Sequence, residues 1–364
     1  MRIAFYAPLK PPDHKTPSGD RRVARLLVKA LRLAGHRPFV ASRLRSFDAT
    51  GAGQQRMAAR AGRFADRLIA RYRLRPEEAP GLWFTYHLYY KAPDWLGPAV
   101  SRALAIPYVI AEASVAMKRA AGPWAAGHRA VTEALRQASL VIGLNPADRE
   151  GVQPFVASGA WAELPPFIAT ALYRPAARTA GPPRLVAVAM MRTGDKLASY
   201  RVLGTALARL LDLDWTLEVI GDGPARGEVA AALAPLGSRV RFVGKAGEAE
   251  VAARLAAADL FVWPAINEAY GMALLEAQAC GLPVVAGRSG GVGAVVADGA
   301  SGLLVPPGDP VAFAAAVRRL LVDPTRRARL GAAARAKVER EHDLATASRR
   351  LAAMLDSLQP IRAA

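Results

Sequence analysis

Two glutamates eight positions apart, Glu268 and Glu276, bracket a glycine at which a helix should begin. An apolar run, DLFVW (259–263), ends at Pro264, and a loop then carries Glu268. Gly271, Met272 and Ala273 open the helix that bears Glu276. A helix start leaves backbone N–H groups without partners and holds the positive end of the helix dipole, which suits a diphosphate. Glu276 could accept hydrogen bonds from a ribose diol, as carboxylates do in dinucleotide sites. Glu268 could grip the hydroxyls of a second sugar. Taken alone, such a pair is more often a solvated loop residue and a polar position on a helix surface.

Other chemistry-bearing residues stand at strand ends. GDGPARG (221–227) follows a strand and precedes a helix. Gly221 and Gly223 permit a tight turn and a close backbone approach, mainly a structural role, because the third glycine of a dinucleotide fingerprint is out of place. His87 closes LWFTYH among Trp83, Phe84, Tyr86, Tyr89 and Tyr90, a setting in which histidine is often only packed. Glu112 closes PYVIAEAS and is a candidate acceptor contact. Ser18-Gly19-Asp20 stands at a helix start, where Ser18 or Asp20 could cap, and Asp20 is a second candidate acceptor contact. Asp212-Leu213-Asp214 has the spacing of an Asp-x-Asp metal motif but lies between a helix and a strand, where it reads as a polar turn. His14, His36, His128 and His342 have no ligand-like spacing, and no metal site is expected. One cysteine, Cys280, excludes a disulfide framework and a zinc site of several thiolates.

The formal net charge is +19, and residues 1–170 hold 25 basic against 12 acidic side chains. Such an excess favours an anionic partner. Arg56, Arg60, Arg63, Arg67 and Arg71 recur at helical spacing beside an apolar stripe of Met57, Phe64, Leu68 and Tyr72. A basic amphipathic helix can lie on anionic lipid or simply form a solvated outer face. No nucleic-acid motif accompanies the charges, and nucleic acid is not expected as a partner. The apolar run Ile3–Ala7 is too short for a signal-peptide core, and no apolar stretch approaches the roughly 18 residues of a spanning helix. A cytoplasmic protein is expected.

Short apolar runs alternate with amphipathic segments, the pattern of stacked βαβ units. Strands are expected at 2–7, 38–41, 82–87, 107–111 and 139–144, then at 184–191, 216–220, 240–243, 259–263, 283–286 and 302–305. A helix is expected from about Asp20 to Leu33, and another over 343–358. The reading is two doubly wound α/β domains with a hinge near 170–183. Ligands of such sheets bind beyond the carboxyl ends of the strands, so ligand is expected in a cleft between the domains.

The stretch 259–309 resembles the donor-site signature of glycosyltransferase family 4, the retaining enzymes of the GT-B fold. It reads Glu268-AYGMALL-Glu276, then AQACGLPVVAGRSGG, with GLLVPPGD farther on. Ala265 stands where the family often has serine, and Ala294 where a glutamate usually follows the Gly-Gly pair. The resemblance implies two Rossmann-like domains, at 1–170 for the acceptor and 171–342 for a nucleotide-sugar, with 343–364 a helix and tail crossing back to the first. It implies that Arg192 and Lys196, in AMMRTGDKLASYR, bind the donor diphosphate. Two fixed cations and helix N–H groups can stabilise the charge growing on that leaving group without a metal. By the same resemblance Glu268 and His87 act at the transferred sugar. Gly19, Gly221, Gly223, Tyr270, Gly271, Met272, Ala273 and Glu276 line the donor, with Asp20 in the place of a second family glycine. The implied reaction is retaining, metal-independent transfer from a nucleotide-sugar, with UDP favoured over GDP and no separate cofactor. The acceptor is a hydroxyl, on a cell-envelope glycan or glycolipid, reached from the cytoplasm or the inner membrane face. Rival readings are a sugar-nucleotide epimerase or glycan phosphorylase of the same fold, or a non-catalytic basic protein that binds membrane or nucleic acid.

Overall fold

The computed structural model describes residues 1–16, 18–176 and 181–358. It forms two compact units, Met1–Pro165 together with the chain from Ala345, and Pro166–Leu344. Within the expected hinge, residues 177–180 lie outside the described residues, as do Pro17 and the tail from 359.

In the first unit the order is β1 (Arg2–Tyr6), α1 (Gly19–Leu33), β2 (Arg37–Ser42), α2 (Gln54–Leu74), β3 (Leu82–Leu88), α3 (Gly97–Leu104), β4 (Tyr108–Ala113), α4 (Ala125–Gln137), β5 (Leu140–Gly143), α5 (Arg149–Val152) and β6 (Trp161–Glu163). The strands are parallel in the order β2-β1-β3-β4-β5-β6. β1, β3, β4 and β5 are apolar runs buried along nearly their whole length, as a parallel sheet covered on both faces requires. β6 was not foreseen, because its three residues, WAE, are half-buried or exposed and form no apolar run.

The second unit runs β7 (Arg184–Val188), α6 (Asp195–Ala208), β8 (Thr216–Ile220), α7 (Arg226–Leu233), β9 (Val240–Gly244), α8 (Glu248–Ala257), β10 (Leu260–Trp263), α9 (Met272–Ala279), β11 (Val284–Gly287), α10 (Val292–Val295), β12 (Gly302–Val305), α11 (Pro310–Leu321) and α12 (Pro324–Glu341). α13 (Leu344–Asp356) leaves it for the first unit. The parallel order β12-β11-β10-β7-β8-β9 is the winding of dinucleotide-binding sheets. The α/β reading with two doubly wound sheets therefore holds.

Two expectations change. β7 stops at Val188 instead of continuing to Met191. Beyond it the chain bends to follow the turn after β8, with Ala189 N–H donating to Ile220 at 3.1 Å and Met191 N–H to Asp222 at 3.0 Å. A Cβ on Gly221 would lie 1.9 Å from the Ala189 carbonyl oxygen, and one on Gly223 would lie 2.2 Å from that of Met191. Only glycine lets the two backbones approach this closely. In α2 the deeply buried line is Gln54, Ala61, Ala65 and Tyr72, whereas Met57, Phe64 and Leu68 of the expected stripe are half-buried. Small alanines let α2 come close to the helix it packs on. Arg56, Arg60, Arg63, Arg67 and Arg71 all remain exposed.

The strand order reverses between β1 and β3 in the first sheet and between β7 and β10 in the second. These reversals are where open α/β sheets hold ligands.

Candidate active site

At the second unit's reversal, the loop after β10 meets the start of α6. Lys196, second residue of α6, forms an ion pair with Glu268. The indole N–H of Trp263 donates to the same Glu268 oxygen at 3.2 Å, and Lys196 Nζ lies 5.5 Å from the Trp263 ring centre. Glu268 keeps 16% of its side-chain exposure and Lys196 28%, so neither is free in bulk solvent. A cation in the first turn of a helix opposes the helix dipole. Its placement is therefore not explained by helix stability.

The loop is latched to α6 by further bonds. Ser199 Oγ accepts from Ile266 N–H at 3.0 Å, and Asn267 Nδ2 donates to Asp195 at 3.0 Å. Ala265 and Asn267 hold left-handed backbone angles, φ 54° and 48°. Strain of this kind persists only when the surroundings over-determine it. The Gly-Gly pair of the sequence signature supports the loop from behind. A Cβ on Gly290 would lie 2.2 Å from the Glu268 carbonyl oxygen, and one on Gly291 would lie 2.3 Å from that of Ala269. Ser199, Asp195, Asn267 and Trp263 were missed as site residues, because their roles depend on contacts 5 to 72 positions away in sequence.

α9 begins at Gly271 (φ 68°) with no side-chain cap. Met272 and Ala273 are half-buried beside it, and Tyr270 is buried. Arg192 is exposed beyond β7 and has no side-chain partner among the described residues, so its guanidinium is available. Glu276 is only 2% exposed, so a ribose contact there would be a deep one. Gly221 and Gly223 pack on the loop that carries Arg192. Asp212 accepts two hydrogen bonds of 2.7 Å from Arg318, an exposed ion pair.

At the first unit's reversal, His87 Nδ1 lies 3.1 Å from the carboxylate of Asp20, second residue of α1. Ser18 caps α1 by accepting from Arg21 N–H at 3.2 Å. Space beside Gly19 is open. His87 (φ 63°) and Glu112 (φ 60°) occupy the left-handed region at neighbouring strand ends. Burial works against a charged His87, but Glu112, Asp20 and Asp148 together raise its pKa. Asp148, absent from the sequence-level site, is pushed up to about 6 by burial and by Glu112, with His87 opposing. Burial tends to raise Asp20 as well, but bonding to His87 lowers it overall. No apolar run or motif marks Asp148, which only the fold brings near His87.

Residues 182–323 match the model of the family described as Glycosyl transferases group 1. A D-inositol 3-phosphate glycosyltransferase of Salinispora tropica is 48% identical over 103 residues, 28% of this chain and 21% of that protein. A GDP-mannose-dependent monoacylated alpha-(1-6)-phosphatidylinositol monomannoside mannosyltransferase of Corynebacterium glutamicum is 37% identical over 151 residues, 40% of this chain and 39% of that protein. The matched stretches thus span less than half the length of these relatives. Sucrose-phosphate synthase of Thermosynechococcus elongatus superposes with a TM-score of 0.75 at 22% identity, covering 98% of both chains. Over residues 182–323 the chain is like the glycosyltransferases of family 4. Its fold is the GT-B fold, shared also with Anabaena HepE, solved in complex with UDP-glucose (TM-score 0.70, 18% identity, 98% and 100% covered). The family match lies within the second unit and includes both Lys196 and Glu268.

Proposed function

We propose that the chain transfers a sugar, with retention, from a nucleoside diphosphate sugar to a hydroxyl acceptor. The observation that carries this is the Lys196–Glu268 pair at the second unit's strand reversal, just before the uncapped start of α9, with Arg192, four residues before Lys196, exposed and without a side-chain partner among the described residues. In this reading the α9 amides, Arg192 and Lys196 hold the diphosphate, Glu276 the ribose and Glu268 the hydroxyls of the sugar. The bond from the anomeric carbon to the phosphate oxygen breaks, and the acceptor oxygen bonds to that carbon. The acceptor's proton passes to the departing phosphate oxygen. Arg192 and Lys196 offset the charge growing there, so no metal is required. On the first unit the proposed roles are His87 in catalysis and Asp20 at the acceptor.

UDP is the proposed nucleotide, and HepE, solved with UDP-glucose, supports that choice. An acceptor in cell-envelope glycan or glycolipid synthesis fits the exposed arginines of α2, which would rest on an anionic membrane surface. Among the described residues no helix is long and apolar enough to cross a membrane. The test is a thermal-shift screen of UDP, GDP and ADP and their sugars, followed by NMR of the anomeric configuration of the product. A rise in melting temperature with UDP-sugars and a retained configuration are expected. No shift with any nucleotide, or an inverted product, overturns the reading. Isomerisation of the donor without acceptor would indicate an epimerase, and a requirement for phosphate a phosphorylase.

A further inference from the structure

In the second unit, α6 turns one face toward both loops of the candidate site. Asp195 and Ser199, like Lys196 and Tyr200, stand four residues apart, which places all four on neighbouring rows of that face. Each reaches a different point. Asp195 accepts from the Asn267 side chain, Lys196 pairs with Glu268, and Ser199 accepts from the Ile266 amide. Tyr200 donates at 3.0 Å to the carbonyl of Ala189, on the loop that leads to Arg192, and its ring lies 5.0 Å from that of Trp263, inclined at 76°. Ser199 and Tyr200 are fully buried, whereas Asp195 and Asn267 are exposed.

Ser199 is the member whose bond falls at the centre of the strained turn before Glu268. Its hydroxyl donates to the Asp195 carbonyl, one helical turn back, at 2.9 Å. Such a bond slightly weakens a helix, and alanine would serve the helix better, so helix stability does not account for this serine. With its hydrogen committed, the buried oxygen presents a lone pair to the loop after β10, where Ile266 N–H donates at 3.0 Å. Ile266 stands between Ala265 (φ 54°) and Asn267 (φ 48°), both left-handed. Asparagine visits that region readily, but alanine has no polar side chain to offset its cost there. The turn must therefore be held from outside. Gly290 and Gly291 let the backbone pack closely against the Glu268 and Ala269 carbonyls, and Ser199 supplies a hydrogen bond from α6. Glu268 comes two residues after Ile266, so the direction of its carboxylate follows from this turn.

We propose that Ser199 is a positioning residue for Glu268: its hydroxyl fixes the turn Ala265–Asn267, and through that turn it governs recognition of the donor's sugar without governing the hold on the nucleotide. The consequence for the sugar rests on the glycosyl-transfer reading. The hold on the turn does not, and the two are measured separately.

The first measurement is amide hydrogen exchange of the full chain, followed at Ile266. Ser199→Ala should speed exchange there about tenfold, because the amide loses its acceptor. Ser199→Thr keeps the oxygen and should restore slow exchange. Ser199→Cys keeps much of the shape but offers only a weak acceptor, so it should behave like the alanine variant. It also keeps the test decisive if threonine does not fit, which a lowered melting temperature would reveal. The second measurement is calorimetric titration with UDP and UDP-glucose, and with GDP and GDP-mannose. In Ser199→Ala, affinity for the bare nucleotide should stay within about twofold, while affinity for the nucleotide-sugar falls about tenfold and kcat, read from nucleotide release, falls by a similar factor or more. Unchanged exchange at Ile266 in Ser199→Ala, a cysteine variant that matches serine, or an equal loss of affinity for nucleotide and nucleotide-sugar overturns the proposal. Absence of nucleotide binding in the unaltered chain would defeat the glycosyl-transfer reading and with it the consequence for the sugar. Exchange at Ile266 would still decide whether Ser199 holds the turn.

Discussion

The two strand reversals use one plan with opposite charges. In each sheet, the helix after the first strand offers its second residue, Asp20 in α1 and Lys196 in α6. Each meets a residue at or beyond the end of the neighbouring strand of the reversal, His87 near the end of β3 or Glu268 after β10. Each neighbourhood holds left-handed non-glycine backbone, at His87 and Glu112 in one and at Ala265 and Asn267 in the other. The difference lies in what surrounds the pair. Three carboxylates gather at His87, whereas an uncapped helix start follows Glu268, and Arg192, four residues before Lys196, has no side-chain partner among the described residues. Carboxylates accept from hydroxyls, while amides and guanidinium donate to phosphate. On the proposed reading, the same topology would make a polyol site in one unit and a diphosphate site in the other.

The strongest way to break this contrast is at Glu268. Glu268→Ala should abolish measurable transfer, and Lys196→Ala should lower kcat about 10²–10³-fold, read from nucleotide release. Because the two residues form one pair, the double variant should cost little more than the worse single one. Additive losses would show that they act separately. Glu276→Ala should chiefly weaken nucleotide binding.

The backbone contacts behind the proposed diphosphate site come next. Gly223→Ala would drive a Cβ to 2.2 Å from a backbone carbonyl at φ 156°. A loss of about 3 kcal/mol or more is expected in the second unit, seen as a lower denaturant midpoint. An unchanged midpoint would mean that the loop after β7 can give way, and that its position is not fixed by this contact.

At the other reversal, His87→Gln should lower transfer about 10²-fold while leaving UDP affinity intact. The pH dependence of stability sharpens this. Because the folded pKa of His87 is raised, its charge stabilises the fold fully below the ordinary histidine value, and that contribution is lost as pH rises through the folded value. The melting-temperature deficit of His87→Gln should therefore be larger at pH 6 than at pH 9. A deficit independent of pH would indicate packing alone.

The smallest expected effect is at Asp148. Its carboxyl is raised from 3.8 to about 6, so ionising it costs stability as pH rises through that window. Asp148→Asn should melt a few degrees higher than the unaltered chain at pH 7.5, with the advantage gone near pH 4. A lower melting temperature at pH 7.5 would show that its charge is needed to hold His87.

The sequence was enough for ten of the twelve strands to be placed within about two residues, because buried parallel strands are continuous apolar runs that need no partner to be recognised. β7 ended early because the glycines after β8 draw the chain aside, and β6 escaped because it is short and half-exposed. The residues of the proposed donor site stand out in the sequence for a similar reason. Glu268, Gly271, Glu276 and the Gly-Gly pair lie within 24 residues of one another, and local backbone geometry ties them to fixed spacings.

What the tertiary structure alone decided is which charges meet. Lys196 and Glu268 are 72 positions apart, and His87 and Asp20 are 67. Asp148 belongs to a segment with no motif of its own. Strand order brings these loops together, and a linear pattern does not encode it. An electrostatic pair depends on the distance between two side chains, so its members become recognisable only once the sheet has chosen its neighbours.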